Sequence, residues 1–156
     1  MHSENSILMK APLKKIFQTA SDLSLWPKIL PHYRYITYLD KSEKKNIVTM
    51  AAWRIIPKIG GMRIPVKWTS EQEIDHEKIE IRFHHLRAFT KGMRVVWTFR
   101  ETAQGVYVRI VHDLNSEIPV IGKKLIEPIV GGFFIHFIAN QTLMHMKTFV
   151  EKSNGT

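Results

Sequence analysis

The chain has 156 residues, 44% of them hydrophobic and 24% charged, which makes it one globular domain over 1–156 rather than a disordered chain. It has no cysteine, which removes disulfides, thiolate metal sites and a cysteine nucleophile and suits a reducing, cytoplasmic setting. Its net charge of +9 is scattered over Lys14-Lys15, Lys41, Lys44-Lys45 and Lys123-Lys124 instead of forming a basic arm, so nucleic acid is a disfavoured partner while an anionic membrane surface stays in view.

Met1 to Lys15 holds no apolar run long enough for a signal peptide. Ser6 to Lys10 reads as a first strand. Pro12 suits a first helical position, and Ile16, Phe17 and Ala20 then mark a short helix ending near Ser21-Asp22. Asp22 or Ser24 can cap a second short helix from Trp26 to Leu30, which Pro31 stops. From Tyr33 the hydrophobic period becomes two. Strands are predicted near 33–40, 47–56, 62–74, 78–86, 92–101 and 105–114, separated by polar or Gly-bearing turns.

Alternation assigns the faces. Trp68, Ser70 and Gln72 share a side, as do Ile81, Phe83 and His85, then Val95 and Trp97, then Val108, Ile110 and His112. Glu71, Glu73, Arg82, Arg94 and Arg109 occupy the opposite, charged side. After Pro119 the pattern is helical to about Lys152. Ile126, Val130, Phe133, Phe137 and Met144 form one stripe at about 100° per residue, with Asn140 and Thr148 on it. Pro128 and Gly131-Gly132 should kink its first third. Pro128 to Met146 has the length of a membrane span, but its Asn, Gln, Thr, His and Gly residues make it a buried or half-buried helix instead.

These elements predict an α+β helix-grip fold. A curved, seven-stranded antiparallel sheet, with two short helices after its first strand, is covered by a long C-terminal helix. Gln72, His85, His112 and Asn140 lie amid inward-facing bulk, so the reading places a cavity between helix and sheet. Its lining is expected to include Trp68, Gln72, Trp97, His112, Phe133, Phe137 and Asn140, with a volume of several hundred Å³, roughly the usual range for small-molecule sites. Trp53 is expected on the same wall.

Several segments carry a family resemblance: Ala11-Pro12, Trp26 to Tyr33, Trp68 to Gln72, Gly92 to Trp97, Gly105 to Asp113, and Phe133 to Leu143. In order and spacing they resemble the START-like, Bet v 1-like (SRPBCC) superfamily. The branch they match is that of polyketide cyclases/dehydrases, coenzyme Q-binding proteins and RatA-like proteins. The resemblance implies a deep pocket for an apolar or aromatic small molecule. It implies that Trp26, Tyr33 and Trp68 are pocket positions. Where those cyclases carry an arginine this chain has Gln72, and where they carry a glutamine it has His112.

Three functions follow from that resemblance. The first is a carrier or chaperone for a polyketide-like molecule, quinone or lipid, as monomer or homodimer, cytoplasmic and peripheral to membranes where it collects lipid-like cargo. The second is a cofactor-free aromatase/cyclase, with His112 as acid/base and Tyr33 and Gln72 as donors to a ketone oxygen. The third is a RatA-like macromolecule-interaction module. Trp26, Trp53, Trp68, His85, Trp97, Phe133, Phe137 and Asn140 are the candidate ligand contacts. No metal is expected: His84 and His85 point to opposite faces, and His136 and His145 lie on opposite sides of one helix. Membrane contact is expected through Pro128 to Ile138 beside Lys123-Lys124.

Overall fold

The computed structural model describes residues 1–88, 90–114 and 131–152, without the side chains of 56, 57 and 133–135. Strand β1 (His2–Met9) leads into α1 (Leu13–Ser21) and α2 (Trp26–Ile29). Then come β2 (Tyr33–Lys41), β3 (Lys45–Ile56), β4 (Met62–Asp75), β5 (Glu80–Arg87), β6 (Met93–Thr102) and β7 (Gly105–Leu114). A π-helical segment (Gly131–Ala139) runs directly into α3 (Asn140–Lys152). The strands form one seven-stranded antiparallel sheet in the order β1-β7-β6-β5-β4-β3-β2, the helix-grip architecture expected from the sequence.

The short helices follow from local chemistry. Pro12 sits just before α1 in extended conformation, and its carbonyl accepts the first helical bond from Ile16 N–H at 3.1 Å. Ile16, Phe17 and Ala20 form its buried face. Asp22 accepts from the Ser24 backbone N–H at 3.1 Å, which turns the chain into α2. That turn buries Trp26, whose indole N–H reaches the Thr19 carbonyl at 3.3 Å.

The sheet ends in two edges, β1 and β2. Helix α3 covers the first. Lys147 Nζ donates to the Leu8 carbonyl at 2.7 Å, and Glu151 accepts from Lys10 N–H at 2.9 Å. Side chains thus occupy backbone groups on an edge otherwise free to pair with another chain.

Two expectations change. Strand β1 starts at His2, not Ser6, because its polar residues pair with β7 from His2 opposite Asp113 onward. The buried face of the last helix is Ile138, Ala139, Thr142, Leu143, Met146 and Val150. Met144, Asn140 and Thr148, on the predicted stripe, are exposed. The cause is the π-helical segment. Its wider i→i+5 turns advance less per residue, so over its length the stripe lags by about half a turn against α-helical phase. The expected helical residues 119–130 lie outside the described residues.

Candidate functional site

The inner face of the sheet supplies the floor of a cavity. Cross-strand neighbours bring the side chains together: Met50 opposite Trp68, Phe83 opposite Val95, Val95 opposite His112, and Trp97 opposite Ile110. Trp26 of α2 and Tyr33 at the start of β2 close one side. Ile138, Ala139 and Thr142 form the roof. Rings dominate the wall. Trp26 lies 5.7 Å from Trp97 and 5.5 Å from Tyr33, and Trp68 stacks on His85 at 6.0 Å with the planes 11° apart.

No residue of the lining carries a formal charge at neutral pH. The polar atoms form two groups. His85 and His112 stand at one end, near enough that each would raise the cost of charging the other. Burial pushes His112 down to about 4, and burial together with His112 pushes His85 to about 3. His85 Nδ1 is 2.8 Å from the Thr90 hydroxyl. The β5–β6 turn fixes that contact: Gly92 N–H bonds the His85 carbonyl at 2.9 Å and Ala88 takes φ 74°. His112 Nδ1 is buried with no partner among the described residues.

The second group lies against the roof. The Tyr33 hydroxyl is hydrogen-bonded with Thr142, whose own hydroxyl lies 2.9 Å from His32 Nε2. Burial raises Tyr33 above the usual phenol range, so it remains a neutral donor. Burial, with His145 stacked alongside at 6.2 Å, holds His32 down to about 4. The chain Tyr33–Thr142–His32 joins residues more than a hundred positions apart.

Of the residues expected from the sequence, Trp26, Tyr33, Trp68, His85, Trp97 and His112 line this cavity. Gln72, Trp53, Phe137 and Asn140 are absent from its lining. Gln72 is fully buried and committed elsewhere: its Nε2 donates to the Ser21 carbonyl at 3.0 Å, and its Oε1 accepts from Asn46 Nδ2 at 2.9 Å. Trp53 is on the outer face, with the Arg34 guanidinium 4.5 Å above its ring. Phe137 packs edge-on to His32 at 6.1 Å. Asn140 is exposed and bonds Asn5 of β1 at 2.7 Å. The Phe133 side chain lies outside the described residues. His32 and Thr142 join the site unannounced by the sequence, as does Met50.

The volume also differs from expectation. It is about 40 Å³, not several hundred, which is room for a water or two rather than a drug-sized molecule.

Comparison with known proteins gives this architecture a family. The model for "Polyketide cyclase / dehydrase and lipid transport" matches residues 9–140. A candidate polyketide cyclase of Streptomyces cyaneus is 27% identical over 122 residues, covering 76% of this chain and 77% of its own. Among solved structures, TTHA0849 from Thermus thermophilus superimposes with a TM-score of 0.78 at 17% identity, covering 98% of this chain and 99% of its own. The Zhui aromatase/cyclase from a Streptomyces species gives 0.76 at 14% identity, covering 97% and 94%. At those identities the structural matches speak for the fold alone. The match over residues 9–140 identifies the chain as a member of the polyketide cyclase/dehydrase and lipid transport family, on a START-like, Bet v 1-like fold.

Proposed function

We propose that this protein binds an apolar, carbonyl-bearing small molecule of the polyketide or quinone type beneath the roof formed by Ile138, Ala139 and Thr142, and acts as its carrier. The observation that carries this reading is His112. Its Nδ1 is buried without a partner among the described residues, beside a wall of tryptophans, and an unpartnered buried polar atom costs roughly 1–3 kcal/mol. A ligand carbonyl or hydroxyl reaching that atom recovers the cost. Flat rings stack on Trp68 and Trp97, and Tyr33 donates to an oxygen at the other end. The uncharged lining selects a neutral ligand. Because the cavity is about 40 Å³, binding is coupled to lifting of the roof.

Tryptophan fluorescence tests this, since three of the chain's four tryptophans line the cavity. Titration with a hydroxylated anthraquinone should give saturable quenching and a higher melting temperature, with His112→Leu binding roughly tenfold weaker through the lost hydrogen bond. Absence of saturable quenching by anthraquinone, naphthoquinone and flavonoid probes alike would end the carrier reading.

The chain Tyr33–Thr142–His32 favours a second reading, a cofactor-free cyclase. There a neutral phenol donates to the ketone oxygen as an aldol closure develops negative charge, and its hydroxyl is held in place by Thr142. His112 and His85, pushed to about 4 and 3, bind no proton at neutral pH and serve as acceptors. With a poly-β-keto substrate, an enzyme should shift the product profile, and Tyr33→Phe should slow it by roughly a hundredfold. A wild-type profile identical to the no-protein control removes the cyclase reading for that substrate.

A further inference from the structure

The β3–β4 pair outruns its neighbours. It runs from Lys45 opposite Glu73 to Ile56 opposite Met62, whereas β2 stops pairing at Ala52 and β5 stops at Thr69. Residues 53–65 therefore form a two-stranded ribbon beyond the sheet, a structure that is marginal in water by itself. Its tip is apolar: Ile55 is 44% exposed, Ile59 51%, Met62 55% and Ile64 36%. These are four of the seven exposed large hydrophobic residues among those described, so the exposure is concentrated here. Gly60 and Gly61, at φ 69° and 76°, make a turn whose Cβ positions meet open space.

Charge points the same way. Arg54, Lys58 and Arg63 belong to the ribbon, Lys67 lies at its base, and no Asp or Glu occurs between Glu43 and Glu71. Pairing places Ile55 and Arg63 on the outer side, and Arg54, Ile64 and Met62 on the inner. The tip is thus an apolar ridge on both sides with cations interleaved, not a flat patch matched to one protein surface. Long cationic side chains beside such a ridge extend their charges to headgroup level while the ridge enters the acyl boundary.

We propose that the β3–β4 ribbon tip docks on an anionic bilayer. This moves the membrane contact away from the segment Pro128 to Ile138. On the inner side Trp68, Val66, Ile64 and Met62 alternate from the cavity wall to the tip, an apolar track between site and membrane. Use of that track by cargo rests on the carrier reading; the docking itself does not.

Vesicle co-sedimentation of the full chain tests the docking. Wild type should pellet with phosphatidylcholine–phosphatidylglycerol vesicles and much less with phosphatidylcholine alone. Ile59→Ser/Met62→Ser and Lys58→Gln/Arg63→Gln should each lower anionic-vesicle partitioning by roughly tenfold or more, with unchanged thermal melts because these side chains are exposed. Failure of wild type to pellet, or pelleting equal in Ile59→Ser/Met62→Ser, overturns the proposal. So does a wild-type dimer that this double variant converts to monomer without any vesicle binding, which would make the tip a contact between copies. Binding to an oligonucleotide but not to vesicles overturns it in favour of nucleic acid. These outcomes are independent of anthraquinone quenching, so either reading can fail alone.

Discussion

Gln72 shows how one residue's role depends on position along a strand as well as on face. It shares the inward side with Trp68 and Ser70, yet it is four residues beyond Trp68, a span of roughly 13 Å along the strand. There it meets the end of α1 instead of the cavity. Its two bonds tie the Ser21 carbonyl and Asn46 into the sheet. Gln72→Leu keeps the volume but strands both partners, and should cost about 2–3 kcal/mol in urea unfolding while leaving anthraquinone affinity within about twofold. Affinity lost at unchanged stability would instead assign Gln72 to the site. The other placements follow the same logic. Parity along β3 puts Val48, Met50 and Ala52 on one side, which sends Trp53 to the other. Trp26 and Tyr33 followed from the family resemblance, whereas Trp68, His85, Trp97 and His112 were legible from strand face together with their position along the strand. His32 and Thr142 were not, because their contact needs α3 to cross the segment after α2, and nothing local encodes that crossing.

At the scale of elements, strands were legible and helix phase was not. All but one of the predicted turns contained Gly, Asp or a lysine cluster, the exception being the segment before Gly92, and the strands ended within a few residues of those turns. Uniform α-helical pitch does not hold through Gly131–Ala139, which is π-helical, and the residues beyond it are rotated out of the expected register. Junctions between elements carry their own constraint. Gly105 opens β7 at φ 148°, and a Cβ there would lie 2.7 Å from the Met9 carbonyl oxygen, against backbone that cannot swing aside. Gly92 at φ 89° has nothing within 4 Å of its Cβ position. Gly105→Ala should therefore destabilise the chain by several kcal/mol, and Gly92→Ala by about 1–2 kcal/mol from backbone strain alone. Hydrogen exchange should show the extra loss of Gly105→Ala in β1 and β7, where Met9 pairs with Val106. Equal costs for the two glycines would refute the close-approach argument.

For the whole molecule, three buried neutral histidines make stability a function of pH. Burial holds His32 and His112 at about 4 and His85 at about 3, while an unfolded chain titrates its histidines near 6.5. Above pH ~6.5 neither state binds these protons and they contribute nothing to the slope. As pH falls below that point the unfolded chain takes up protons that the folded chain refuses, so stability drops. The loss continues until the folded-state values are reached near pH 4 and 3. At pH ~5 it amounts to roughly 2 kcal/mol per histidine. The exposed His2 works in the opposite direction: its hydrogen bonds to Asp113 and Glu4 raise its value, so its stabilisation grows as pH falls through that range. Glu4, Asp75 and Glu151 are held below the ordinary carboxylate range, so their stabilisation is lost only in more acidic solution. Between pH 6.5 and 5 the buried histidines therefore decide the sign. Urea midpoints should fall over that interval, and His112→Gln, which cannot take up the proton in either state, should fall less by about one histidine's share. A midpoint that is flat from pH 7.5 to 5, or a His112→Gln slope equal to wild type, would mean that His112 titrates alike in both states and that the roof does not exclude water from the cavity.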